Sequence, residues 1–194
     1  MSYPYRYAPG AEVLGQAASA IFNHMLGDEV MESLRKHGVD QLKPEAWYPV
    51  DKFIEVFADW FRNPENTSSQ LVSVGMAIID NAVLPPEMET APLVQKLMLL
   101  SALHDINHRG TGDPGRYIVE QVGEKHLKYT TNTPYPDDMI YGYIYGVAKR
   151  FLPRGTHFTV SYDSEVPRQH EGGTHTLSSI SSGTSAPERR SSRD

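Results

Sequence analysis

The sequence predicts an α+β domain in which N-terminal helices pack on a small antiparallel sheet of hairpins, with one further helix set between the hairpins. Three observations predict it. Apolar residues recur at helical spacing through the first half, and from Gly112 the pattern changes, "GRYIVEQVGEKHLKYTTNTPYP" being rich in β-branched residues and tyrosine. A last helix-like stretch precedes two more strand-like ones, an order that suits an antiparallel rather than a doubly wound parallel sheet. With 194 residues, the expected division is an extended arm over 1–10, a single domain over 11–180 and a disordered tail over 181–194.

The elements follow in order. "AEVLGQAASAIFNHM" is helical through Val13, Ala17, Ala20, Ile21 and Met25, and Gly27 divides it from a second helix that starts at Asp28 and stops at Gly38. Phe53, Val56, Phe57, Trp60 and Phe61 form an apolar stripe on the next helix, which Asn63-Pro64 ends. "SSQLVSVGMAIIDNAVLPP" is helical up to Pro85-Pro86, and "TAPLVQKLMLLSALHDINHRG" is helical from near Pro92 toward Gly110. Gly123-Glu124 is placed to turn the first hairpin, and "GTGDPG" (Gly110 to Gly115) reads as the connector into it. Asp137 and Asp138 suit the start of "DDMIYGYIYGVAKRF", and Lys149 and Arg150 suit its end. "THFTVSYD" and "GGTHTLSSIS" close the domain as strands.

Composition excludes several function classes. A formal net charge of -6 argues against a nucleic-acid binder that relies on phosphate contacts. The chain has no cysteine, so disulfides, thiolate ligands and cysteine nucleophiles are ruled out. The N-terminus lacks a secretory pattern and no long apolar run exists, so the expectation is a cytoplasmic chain without a transmembrane segment. There is no Gly-x-Ser-x-Gly elbow and no phosphate-binding Gly-rich loop with lysine. His126, His157 and His175 are scattered over predicted strands without ligand spacing.

"LLSALHDINHRGTGDP" carries the most suggestive chemistry. On a helix His104 and His108 share a face and can both reach one divalent metal, with Asp105 beside them. Leu93, Leu97, Leu100 and His104 also fall on one stripe, which makes His104 a neutral core histidine and places His108 and Arg109 at the negative end of the helix dipole, with Asp105 able to hold Arg109. The core reading is preferred. His104, Asp105, His108, Arg109, Gly110 and Thr111 resemble the His-Asp segment of cyclic-nucleotide phosphodiesterases. That resemblance covers about a dozen residues and lacks the family's upstream histidine motif, so it is read as fortuitous.

Gly142 and Gly146 leave a smooth strip on the last helix, where a neighbouring backbone or a flat ligand can approach closely, and Tyr141 and Tyr145 offer an aromatic wall beside it. Close packing on the sheet is the favoured explanation of the glycines. A ligand pocket lined by Tyr141, Tyr145, Gly142 and Gly146, with Phe57 and His104, is the alternative.

The order of elements, the two hairpins and the Gly142/Gly146 helix together resemble a superfamily of 4-vinyl reductase-type ligand-binding domains, heme nitric-oxide-binding domains and Golgi-transport tethering subunits. The resemblance spans roughly residues 10–180. It implies a non-catalytic domain that holds a hydrophobic or tetrapyrrole-like ligand, or one that serves as a scaffold or adaptor, as a homodimer or with a protein partner, in sensing or in assembly of a larger complex. No cofactor is required on this reading; a tetrapyrrole or a divalent metal is the alternative. Where many 4-vinyl reductase-type domains carry cysteines, this chain has Pro167, Arg168, Gly172, Gly173 and Thr176. His104 or His108 corresponds loosely to the proximal histidine of the heme-binding branch, whose later Tyr-x-Ser-x-Arg signature has no match. A metal-dependent phosphohydrolase and a pure protein-protein interaction module are the other functional alternatives.

Overall fold

The computed structural model describes residues 7–25, 27–63, 65–83, 86–168, 171 and 176–183. Its helical half is built on α3 (Val50–Arg62), which buries Val50, Phe53, Ile54, Val56, Phe57, Ala58 and Trp60 as the aromatic stripe predicts. Phe22, from α1 (Gly15–Phe22), lies 5.2 Å from the Phe53 ring and 5.4 Å from that of Phe57. Burying one such phenyl ring contributes roughly 1.5–3 kcal/mol. α2 (Asp28–Lys36) starts after Gly27, carries Asp28 in its first turn and is followed by Gly38 at φ +74°. Asp59 of α3 fixes α2: burial pushes its carboxyl up, but hydrogen bonds from Lys36, His37 and Ser33 overcome this and hold it well below the usual range.

Residues Ala11–Leu14 form a strand, β1, and not the first turn of a helix. β1 pairs antiparallel on one side with β2 (Trp47–Pro49) and on the other with β3 (His108–Gly110). The expected single sheet is therefore two. The other has the order β4-β5-β7-β6, with β4 (Tyr117–Gly123) and β5 (His126–Thr131) as the foreseen first hairpin and β6 (His157–Tyr162) and β7 (Thr176–Gly183) closing it. All its pairs are antiparallel.

Of the expected arm, Tyr7 and Ala8 are docked: the Tyr7 hydroxyl donates to Glu55 and the Ala8 amide to Asp51. The hydrogen bond to Glu55 pushes the Tyr7 phenol up to about 12. Residues 1–6 of the arm, residues 184–194 of the expected tail, Gly172, Gly173 and His175 lie outside the described residues. Residues 181–183, placed in the tail by the sequence, belong to β7, because they pair with 126 on one side and with 157–159 on the other.

α4 (Ser68–Asn81) begins with a capping box between Thr67 and Gln70. Its C-terminal carbonyls of Ile79 and Ala82 are taken by Arg150 at 2.6 and 2.8 Å, from the last turn of α7 (Asp137–Phe151). Gly142 and Gly146 of α7 face α4, not the sheet. A Cβ on Gly142 would collide with the Val72 carbonyl, and one on Gly75 of α4 with the Met139 carbonyl, so the two backbones touch directly. A short helix, α5 (Pro86–Glu89), leads into α6 (Leu93–Ile106), where Lys96 is buried and donates to the carbonyls of Glu89 and Ala91 beneath the Phe151 ring. Among the described residues no helix is long and apolar enough to cross a membrane.

Candidate functional site

α6 buries Leu97 and His104 on the predicted stripe, with Leu93 and Leu100 packed beside them. The helix ends at Ile106, so His108 is not on it; the chain has already turned into β3, where His108 pairs with Val13. Its ring still folds back on the helix end. The His108 Nδ1–H donates at 2.7 Å to the carbonyl of His104, which also accepts from the Asn107 amide that caps the helix. A carbonyl can only accept, so Nδ1 carries the proton of the neutral ring and Nε2 keeps its lone pair. That lone pair receives the Tyr135 hydroxyl at 2.6 Å.

His104 is 7% exposed, and its Nε2–H donates to the Gly115 carbonyl at 3.3 Å. Gly115 stands at φ +76°, and a Cβ there would strike the Asn132 carbonyl, so the connector can only lie this close to the β5 exit as glycine. The two imidazoles are 4.0 Å apart, and His104 stands edge-on to Tyr117 at 4.8 Å. Burial, reinforced by the neighbouring His108, pushes His104 down to about 3, and burial also lowers His108. Both rings are neutral at physiological pH.

The sign of the resulting pH dependence is fixed. Below about pH 6.5 the unfolded chain takes up a proton that folded His104 refuses until about pH 3, so stability falls as pH drops through that window. The slope is up to ~1.4 kcal/mol per pH unit for one such group. In His104→Gln, which keeps a donor toward Gly115, urea midpoints between pH 6 and 4 are expected to decline less steeply; an unchanged slope would refute the assignment.

The wall beyond the histidines is aromatic. Tyr129 packs on Tyr117 at 5.5 Å, and burial raises the phenols of Tyr117, Tyr129, Tyr135 and Tyr143. Tyr129, Thr131 and Thr133 alternate inward and are buried, and the Thr131 and Thr133 hydroxyls are 3.2 Å apart. The three stand at every second position, as Tyr-x-Thr-x-Thr. The sequence signal was the alternation itself, running out of β5 past the last paired residue. Outside, an open cleft of about 350 Å³ reaches His108 between Asp105, Arg109, Arg116 and Tyr117. Arg109 does not pair with Asp105: its Nε donates to Glu12 at 2.7 Å and its guanidinium lies over Trp47 at 4.4 Å.

The six sequence-selected ligand residues fall in separate surroundings. Phe57 belongs to the Phe22–Phe53 core, Gly142 and Gly146 face α4, and Tyr141 and Tyr145 face β6, where the Tyr141 hydroxyl donates to the Val160 carbonyl and Tyr145 packs on Phe158. His104 alone stands at the histidine junction. Asp105 remains at the exposed rim, and among the described residues no group of three His, Cys, Asp or Glu side chains is placed to hold a metal ion. Asp137 and Asp138 do more than start α7. Both are buried, Arg168 Nε reaches Asp137 at 3.3 Å and Nη2 reaches Asp138 at 2.8 Å, and the Tyr162 hydroxyl donates to Asp138 at 3.0 Å. The Arg168 guanidinium also covers the Tyr162 ring at 4.0 Å.

No protein-family model matches the chain, and no curated protein matches it in sequence. Solved structures do match in fold. A variant Cs H-NOX domain superposes with a TM-score of 0.65 at 20% identity, covering 87% of this chain and 96% of that one. An oxygen-binding H-NOX domain related to soluble guanylate cyclases gives 0.64 at 20% identity, covering 87% and 94%. A variant H-NOX domain of T. Tengcongensis gives 0.58 at 20% identity, covering 87% and 92%. These likenesses support an H-NOX-like fold and lend no support to the 4-vinyl reductase name. The chain folds as an H-NOX-like α+β domain.

Proposed function

We propose that the chain is a non-catalytic small-molecule-binding domain of the sensing kind, and that its ligand is a heme-like tetrapyrrole held through His108. The observation that carries this is the fixed tautomer: the His104 carbonyl holds Nδ1–H, which leaves Nε2 as an oriented lone pair inside an aromatic wall. Metal-binding histidines are set up in this way, with the far ring nitrogen donating to a carbonyl or carboxylate. The donor set therefore fits such a group, which His108 would hold through Nε2. The fold likeness supports the same reading, since one of the matching structures is an oxygen complex and another concerns heme redox potential and porphyrin distortion.

A bound heme supplies an iron at which a diatomic gas can coordinate. The chain supplies the rest. His108 presents Nε2, and the rings of Tyr117, Tyr129 and Tyr143 exclude water. Arg109 is committed to Glu12 and Trp47, so Arg116 at the rim is the arginine able to meet acidic groups of the ligand.

Hemin titrated into the full chain is expected to produce a Soret band that saturates at one equivalent. His108→Ala should weaken binding by at least about 100-fold, the upper end of what loss of even a supporting partner costs a metal site, while His104→Gln retains the band. Equal binding by His108→Ala would overturn the assignment. The scaffold or adaptor reading draws on Met98, Ala102 and Ile106, an exposed apolar stripe of α6. A chain that takes up no hemin and sediments as a dimer would favour it.

A further inference from the structure

We propose that Tyr135 is a displaceable cap on His108, and that its release is passed along the chain to loosen the segment 163–168 from the first turn of α7. This rests on His108 being the ligand contact. The hydroxyl of Tyr135 sits on the one nitrogen of His108 that has a lone pair to give, so a stronger acceptor of that lone pair must first move the tyrosine. Tyr135 has little room to move alone. Pro134 and Pro136 bracket it, which fixes φ on both sides and disfavours helical slack before each ring, and every residue from Thr133 to Ile140 is buried.

Asp137 and Asp138 come directly after Pro136. Farther along α7, Gly142 is pressed against the α4 backbone, so the helix body cannot follow. A displacement at Tyr135 is therefore absorbed in the first turn, and that turn is what Arg168 and Tyr162 hold. Segment 163–168 is a unit in its own right. The Asp163 carboxylate accepts from the Glu165 amide at 2.9 Å, the Asp163 carbonyl accepts from the Val166 amide, and Arg168 and Glu171 exchange two hydrogen bonds. It borders a cleft of about 370 Å³ and can shift as one piece when its guanidinium is released.

The test uses the full chain with hemin as the probe, and hydrogen exchange of the 163–168 amides as the second readout. Tyr135→Phe is expected to bind hemin about tenfold tighter, equivalent to about 1.4 kcal/mol, because one hydrogen bond no longer has to be broken. Its 163–168 amides should exchange faster without hemin, as those of the wild type do once hemin is bound. Linkage makes the effect reciprocal, so Arg168→Lys, which keeps the charge but loses the fork, should tighten hemin binding several-fold although it does not touch His108. Weaker or unchanged binding in Tyr135→Phe overturns the cap. Unchanged hemin affinity in Arg168→Lys, with 163–168 exchange unmoved by Tyr135→Phe, overturns the relay even where His108→Ala upholds the ligand. If hemin proves not to depend on His108, exchange in hemin-free Tyr135→Phe still decides the relay: faster upholds it and unchanged refutes it. Should Tyr135→Phe not fold, hemin affinity in Arg168→Lys decides alone.

Discussion

Gly142→Val is expected to destabilise the chain by at least ~3 kcal/mol, at the upper end of what overpacking costs, and to lower its thermal midpoint by ~10 °C. The reason is that the obstruction is backbone. A Cβ at position 142 would fall on the Val72 carbonyl carbon and oxygen, and the reciprocal glycine, Gly75, lies equally close to the Met139 carbonyl. No side-chain rotamer can relieve such a clash; the helices would have to separate, and the Arg150 hydrogen bonds that close α4 would go with them. Gly146→Ala provides the graded comparison. Its Cβ would meet Ile79 Cβ at 3.1 Å and Met76 Cα at 3.3 Å, a tight fit that a shift of tenths of an ångström relieves. Alanine also gains up to about 1 kcal/mol of helix propensity over glycine. Near-neutral behaviour at 146 beside collapse at 142 in thermal melts is the expected result; similar losses at both would show that the backbones do not meet as described.

Arg168→Ala is expected to cost about 3 kcal/mol, the lower end for breaking a buried ion pair, because its side chain is 21% exposed. The loss arises from what remains. Asp137 has a side chain with 0% exposure and Asp138 one with 10%, and the deletion deprives both of the same guanidinium. Adding Asp137→Asn to Arg168→Ala should recover part of the loss, since it removes one of the charges left behind. Urea unfolding of the two variants reads this directly, and a double variant no more stable than Arg168→Ala would deny that buried charge is the cause.

What was legible in the sequence was local. The spacing of Phe53, Val56, Phe57 and Trp60 marked a buried helix face, and the leucine stripe ending at His104 marked that histidine as a core residue, because both signals are set by helical period. β1 was missed for the opposite reason: Ala11–Leu14 contains residues that suit a helix, and only pairing with residues 47–49 and 108–110 makes it a strand. The glycines of α7 announced a close approach without naming its partner. Tyr135 lies between prolines, where no period exists to expose its inward direction, and Arg168 meets carboxylates 30 and 31 residues earlier, beyond any motif.

β1 ties together the most distant parts of the helical half. Its Glu12 meets Arg109 across 97 residues, and Gly110 lies against Gly10. During synthesis the first strand therefore emerges long before its second neighbour exists, and the helices between them must wait in a partly closed state. The histidine junction depends on the same closure, since His108 is the first residue of β3, the last of this sheet's three strands in chain order. A nascent chain thus cannot assemble the histidine junction until that strand has docked, and Tyr117 and Tyr135, which pack on the two rings, emerge later still.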